Sequence, residues 1–136
     1  MTQNVTSWTI EIETSGGFSG KGVGGVSVGS DGQVSASSEA RRACKSDASS
    51  EEIKAIEKLI SQSKPGKWRK SYARPGNPRG YADQFSYTLK ISVDKPGGSQ
   101  SYETSWYDET KDSLPSDLDS LVKELWKVRD RVVAKC

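Results

Sequence analysis

Phe85-Ser86-Tyr87-Thr88-Leu89-Lys90-Ile91-Ser92-Val93, followed by Lys95-Pro96-Gly97-Gly98 and then Tyr102-Glu103-Thr104-Ser105-Trp106, decides the fold. Apolar and polar residues alternate through the first run with the period of two that gives a strand one buried and one solvated face. Proline and glycines then turn the chain back, and Tyr102, Thr104 and Trp106 resume the alternation, so the stretch predicts an antiparallel hairpin. Trp106 and its neighbour Tyr107 point to opposite faces, which makes at least one of them a core residue.

Working outward, Trp8, Ile10 and Ile12 alternate with Thr9, Glu11 and Glu13 in a further strand. Glu11 and Glu13 fall together on its polar side, the ordinary solvated face of a one-sided sheet rather than a paired-carboxylate site. The glycine-punctuated segment between Gly16 and Gly32 does not read as a phosphate cradle. Gly20-Lys21-Gly22 leads into the strand-like run Val23 to Val28 and not onto a helix. Ser30-Asp31-Gly32 predicts a turn into a second short run, Gln33 to Ser37.

Ser49-Ser50-Glu51-Glu52 places a serine three residues before a glutamate, a capping box, and Ile53, Ile56, Leu59 and Ile60 follow at helical spacing. A helix is predicted over 50–63, with Lys64-Pro65-Gly66 ending it and Gly66 as a left-handed cap. Pro115 and Asp117 open a second helix whose Leu118, Leu121, Val122, Leu125, Val128 and Val132 form one apolar stripe; it is expected over 115–134. Trp126 beside that stripe packs on the sheet edge or marks an oligomer surface. The expected class is α+β, an antiparallel sheet of four to five strands packed against two amphipathic helices, with Ile12, Ile56, Leu59, Leu89, Ile91, Leu121 and Leu125 buried. The chain's 136 residues suit one domain over 1–136.

The sequence holds no histidine, and its 20 basic and 18 acidic residues leave a net charge of only +2. Histidine-based nucleophile systems and His-ligated metals are excluded, so no catalytic residue, metal site or cofactor is assigned and a non-enzyme is expected. No stretch has the length and apolarity of a membrane helix. The first residues carry neither a basic nor an apolar leader region, which places the chain in the cytoplasm, or outside it if a signal peptide once preceded Met1. Cys44 and Cys136, the two cysteines, are free thiols in the first setting and one large-loop disulfide in the second.

The segment from Lys64 to Tyr81 carries six cations and no acid: Lys64, Lys67, Arg69, Lys70, Arg74 and Arg79, with Trp68, Tyr72 and Tyr81 interleaved. Charge with stacking surfaces is what single-strand nucleic-acid binders use, so a nucleic-acid or other binding module using 64–81 is the alternative reading. An opposing acidic stretch, including Glu103, Asp108 and Asp117, competes for those cations.

The order of features resembles the emfourin family, small bacterial protein inhibitors of protealysin and other thermolysin-like metalloproteases. Ser15-Gly16-Gly17-Phe18 ends the first strand, Ile56, Leu59 and Ile60 mark the helix, and Ala82-Asp83-Gln84-Phe85-Ser86-Tyr87-Thr88-Leu89 opens the hairpin. Tyr102 to Tyr107 with Asp108, then Leu114-Pro115 before Leu118 and Leu121, complete the likeness over about residues 8 to 125. The segment from Gly20 to Lys45, the basic loop and the last helix are longer than the family pattern, and loop insertions often carry specificity. The resemblance implies a soluble, monomeric inhibitor whose partner is a thermolysin-like metalloprotease, with no membrane attachment. It further implies an apolar anchor for a cleft that prefers bulky apolar groups. Gly16, Gly17, Phe18, Ser19 and Gly20 are the expected contact turn, joined by Trp68, Arg69, Tyr72 and Arg74. Phe18 also continues the even-numbered face of Trp8, Ile10 and Ile12, so a core role competes with the contact role.

Overall fold

The computed structural model describes residues 7–16, 24–38, 44–72, 85–107 and 114–135. Its elements are β1 (Ser7–Gly16), β2 (Gly24–Gly29), β3 (Gln33–Ser38), β4 (Cys44–Asp47), α1 (Ser50–Gln62), a 3-10 turn (Pro65–Lys67), β5 (Ser71–Tyr72), β6 (Phe85–Lys95), β7 (Gly98–Tyr107) and α2 (Ser116–Ala134). One sheet runs in the order β4-β3-β2-β1-β6-β7-β5, and the two helices lie on one of its faces.

The class is α+β, but the sheet is larger than four to five strands and not wholly antiparallel. Among the described residues it has seven strands, and β5 runs parallel to β7. The two strands beyond the expectation are β4 and β5. Each is short and has a single residue that packs on the core, Cys44 or Tyr72, so each is held by its neighbour rather than by an alternation of its own.

Register explains the core. Ile10 stands opposite both Val28 and Ile91, Ile12 opposite Val26 and Leu89, and Trp8 opposite Val93. These side chains face α2, whose Leu118, Leu121, Leu125 and Val128 are fully buried, and α1, which adds Ile56 and Ile60. Leu59, expected in the core, is only half-buried at its margin. The other sheet face is polar: Glu11 lies between Ser27 and Lys90, and Glu13 stands opposite Thr88.

Helix ends follow their chemistry. The Ser49 hydroxyl accepts from the Glu52 N–H at 3.1 Å while the Glu52 carboxylate accepts from the Ser49 N–H at 2.8 Å, completing the capping box. At the other end the chain leaves α1 through Ser63 in extended geometry, and Gly66 sits inside the 3-10 turn that Pro65 begins. Gly66 is therefore not the left-handed cap expected of it: the Ser63 N–H and hydroxyl both satisfy the Ile60 carbonyl instead.

One polar tie holds the C-terminal half of α2 to α1 and β4, and a disulfide fixes the start of β4. Arg131 donates twice to the Glu52 carboxylate, at 2.7 Å each, and once to the Asp47 carbonyl at 3.1 Å, joining α2, α1 and the end of β4. Cys44, at the start of β4, is disulfide-bonded, and Cys136 is the chain's one other cysteine. Among the described residues no helix is long and apolar enough to cross a membrane.

Candidate functional site

Antiparallel pairing brings many strand ends together at one end of the sheet. Gly16 closes β1 beside Phe85, the first residue of β6; Ser86 stands opposite Tyr107 at the end of β7; and Gly24 at the start of β2 faces Ser38 at the end of β3. Tyr72 pairs with Trp106, so β5 ends there too, and β4 begins there at Cys44 opposite Ala36. Segments 17–23, 39–43, 73–84 and 108–113 thus all depart from this end. Loops gathered on the rim of a rigid sheet are a common way to build a binding surface.

Of the residues assigned from the sequence, Gly16 and Tyr72 lie at this end, on strands separated by β6 and β7. Gly17, Phe18, Ser19, Gly20 and Arg74 lie outside the described residues, as do Arg79 and Tyr81. Trp68 and Arg69 belong elsewhere, further along the outer side of β7. The Thr104 hydroxyl donates to the Arg69 carbonyl at 2.5 Å, and the Ser105 N–H donates to the Lys70 carbonyl at 3.0 Å. The segment from Pro65 to Tyr72 is therefore a strap along the sheet edge.

The aromatic side chains of that strap serve packing. The Trp68 indole donates to Asp117 Oδ2 at 3.1 Å, the Lys64 N–H donates to the same oxygen at 2.9 Å, and the ring is half-buried against the core. Partial burial raises the Asp117 pKa, but bonds from Lys64, Trp68 and Leu118 outweigh it and hold the carboxyl below its ordinary value. The Tyr72 hydroxyl accepts from the Arg69 N–H at 3.0 Å, and its ring also packs on the core margin. By contrast Lys64, Lys67, Arg69 and Lys70 are exposed. The acidic stretch does meet the basic one, through Asp117, yet it takes a backbone N–H and an indole rather than a cation.

Sequence reasoning missed an aromatic group at the loop-bearing end. Tyr87 stacks on Trp106 with ring centroids 5.6 Å apart and planes 8° from parallel. Trp126 of α2 meets Tyr87 edge-on at 6.4 Å, and the Arg129 guanidinium lies 4.5 Å from the Trp126 ring centroid. The Tyr87–Trp106 contact was available by counting back from the Pro96-Gly97 turn; the approach of Trp126 depends on how α2 crosses the sheet. Trp126 therefore packs at the end of the sheet's covered face. Among the described residues no three His, Cys, Asp or Glu side chains are grouped to hold a metal ion.

No protein-family model, curated protein or solved structure matches the chain.

Proposed function

We propose that the chain is a non-enzymatic protein inhibitor of a thermolysin-like zinc metalloprotease and blocks its substrate cleft. The ordered sequence resemblance to the emfourin family motivates the reading. The observation that carries it is the gathering of the β1–β2, β3–β4, β5–β6 and β7–α2 connections at one end of the sheet. A competitive inhibitor gains affinity by presenting its contact segments on a frame that is already ordered, because less conformational freedom is then lost on binding. Here Gly16 ends β1, a central strand paired on both sides, and the proposed contact residues Gly17 to Gly20 follow it in sequence. Phe18 is their proposed anchor. The exposed Lys64, Lys67, Arg69 and Lys70 lie to one side and act on encounter rate more than on affinity.

The nucleic-acid alternative has less support, since the rings of Trp68 and Tyr72, which it needs as stacking platforms, are packed against the core margin. A disulfide at Cys44 favours the exported location over the cytoplasmic one.

Steady-state assays against a panel of thermolysin-like proteases test the reading. Competitive inhibition, an apparent KM that rises with inhibitor at constant kcat, is expected for at least one member. Absence of inhibition at micromolar concentration across the panel overturns it.

A further inference from the structure

The sheet ends in β4 on one side and in the two-residue β5 on the other. Natural sheets guard an edge by shortness, charge, proline or a bulge, because unpaired N–H and carbonyl groups invite another strand. The β4 edge is guarded: it is four residues long, carries Lys45, and has its Asp47 carbonyl taken up by Arg131. β5 guards only part of β7, since it meets that strand at Ser105 and Trp106. Among the described residues nothing pairs with the outer side of β7 from Gly98 to Glu103. That stretch, Gly98-Ser99-Gln100-Ser101-Tyr102-Glu103, holds no proline and no lysine, and it pairs with β6 without a bulge.

The alternation of the strand fixes which of its groups face outward. The Ser105 N–H donates away from β6, to the Lys70 carbonyl at 3.0 Å, so Glu103, Ser101 and Ser99 direct their N–H and carbonyl groups the same way. The turn agrees. Gly98 closes the hairpin opposite Lys95, and its inward-facing groups set Gln100 and Tyr102 inward as well.

We propose that a second copy of this chain pairs with this edge, β7 against β7, antiparallel about a twofold axis at Ser101. Three observations select that occupant. The open stretch is bounded by the turn before Gly98 and by the strap, which first holds β7 at Thr104, so an antiparallel twin turns away where the strap begins. Centred on Ser101, the two strands set Ser101 opposite Ser101 and Ser99 opposite the partner's Glu103, and at each of these positions an N–H and a carbonyl are exchanged. Charge selects the same register. Centring on Glu103 would oppose two carboxylates and drive the twin into the strap, whereas centring on Ser99 would lose pairs to the turn. Side chains agree: the half-buried Tyr102, whose hydroxyl donates to Gln100 of its own strand at 2.9 Å, falls opposite the partner's Gln100 and covers it. A contact one strand wide buries less than the roughly 1,200 Å² of a stable complex, so the dimer is weak, with a dissociation constant on the order of 100 µM. The inference does not rest on protease inhibition and departs from the monomer that the family resemblance implies; the axis turns the two loop-bearing ends in opposite directions.

Sedimentation equilibrium of the whole, disulfide-intact chain from about 10 µM to about 1 mM tests the pairing. The apparent mass should rise towards that of a dimer. Amide hydrogen exchange at Ser99, Ser101 and Glu103 should slow with concentration, while Gln100 and Tyr102, already bonded to β6, should not change. Ser101→Lys and Ser101→Glu, at an exposed position that spares the fold, should each weaken dimerisation about fivefold by setting like charges together at the axis, and an equimolar mixture of the two should restore it. A chain that stays monomeric throughout the range overturns the proposal. So does a dimer that leaves those three amides unprotected or that both charge variants leave intact, since its contact lies elsewhere. A monomeric chain that instead protects the same amides on binding a capped hexapeptide of alternating threonine and valine overturns the second copy as occupant and makes the edge a receptor for an extended peptide.

Discussion

Arg131 joins α2 to α1 and to the end of β4, and its partner Glu52 also completes the α1 cap. Burial raises the Glu52 pKa, but the hydrogen bonds from Arg131 and the Ser49 N–H, with the Arg131 charge, carry it below its ordinary value of 4.5. A carboxyl whose folded pKa is depressed adds stability that is fully present above the unfolded pKa and is lost as pH falls through the folded one. Thermal stability should therefore decline as pH drops below 4.5, with Asp117 contributing in the same direction below 3.8. Arg131→Ala should cost about 1 to 2 kcal/mol near neutrality and make that acid decline shallower, since Glu52 then loses the Arg131 bonds and charge and keeps only the Ser49 bonds that depress its pKa. Melting curves of the parent and variant across the acid range check both effects; parallel pH profiles would remove the Glu52 pair as their source. Phe18 is the corresponding residue for function. If it is the anchor, Phe18→Ala should weaken inhibition by about 2 kcal/mol or more through faster dissociation, with an unchanged melting temperature. A variant that melts early but inhibits as well as the parent while folded would return Phe18 to the core.

Among the elements, β2 contains a position where the sheet leaves no room for a side chain. A Cβ on Gly25 would meet the backbone carbonyl oxygen of Ile12 at 2.5 Å. Backbone cannot swing aside as a flexible side chain can, so Gly25→Ala should destabilise by about 1 to 3 kcal/mol, read as a lower urea midpoint at unchanged slope. Gly97→Ala, at a turn position where nothing lies within reach of the added carbon, is the matched control. The elements that the sequence disclosed are those with a period of their own. The hairpin of β6 and β7 alternates on both sides of a Pro-Gly turn, and α2 carries an unbroken apolar stripe. β4 and β5 were not legible because their reasons lie elsewhere in the chain. Cys44-Lys45-Ser46-Asp47 has no apolar alternation, and Ser71-Tyr72 is a strand only because Thr104 and Ser105 bind the carbonyls just before it. The same limit applies to the basic segment. Composition shows Trp68 beside cations, but only the fold brings Asp117 to its indole and turns a stacking candidate into a packed residue.

For the molecule as a whole, the question is what keeps a polar chain ordered, with only 32% of its residues hydrophobic. Among the described residues the helices cover one face of the sheet alone, and its edge strand β4 is four residues long, so the β4 side has little burial of its own. That side is where the disulfide at Cys44 acts, together with the Arg131 bond to Asp47. With Cys136 as the other cysteine, the bridge closes most of the chain into one loop, and long loops lose the most unfolded-state entropy on cross-linking. Cys44→Ser, or reduction, should lower unfolding free energy by about 3 kcal/mol. The native fold should survive the change, because Arg131 still fastens α2 to α1 and β4 and the apolar stripe of α2 stays buried under the sheet. Inhibition should survive as well: the proposed contact residues follow β1, which is paired along its length with β6 and is separated from β4, where Cys44 sits, by β2 and β3. Reduced protein should thus show a lower denaturant midpoint and the same protease inhibition at temperatures where it remains folded. Coincident midpoints for oxidised and reduced protein would deny the bridge its stabilising role. Loss of inhibition in a reduced but folded chain would move the contact surface towards the β4 edge and away from the turn after β1.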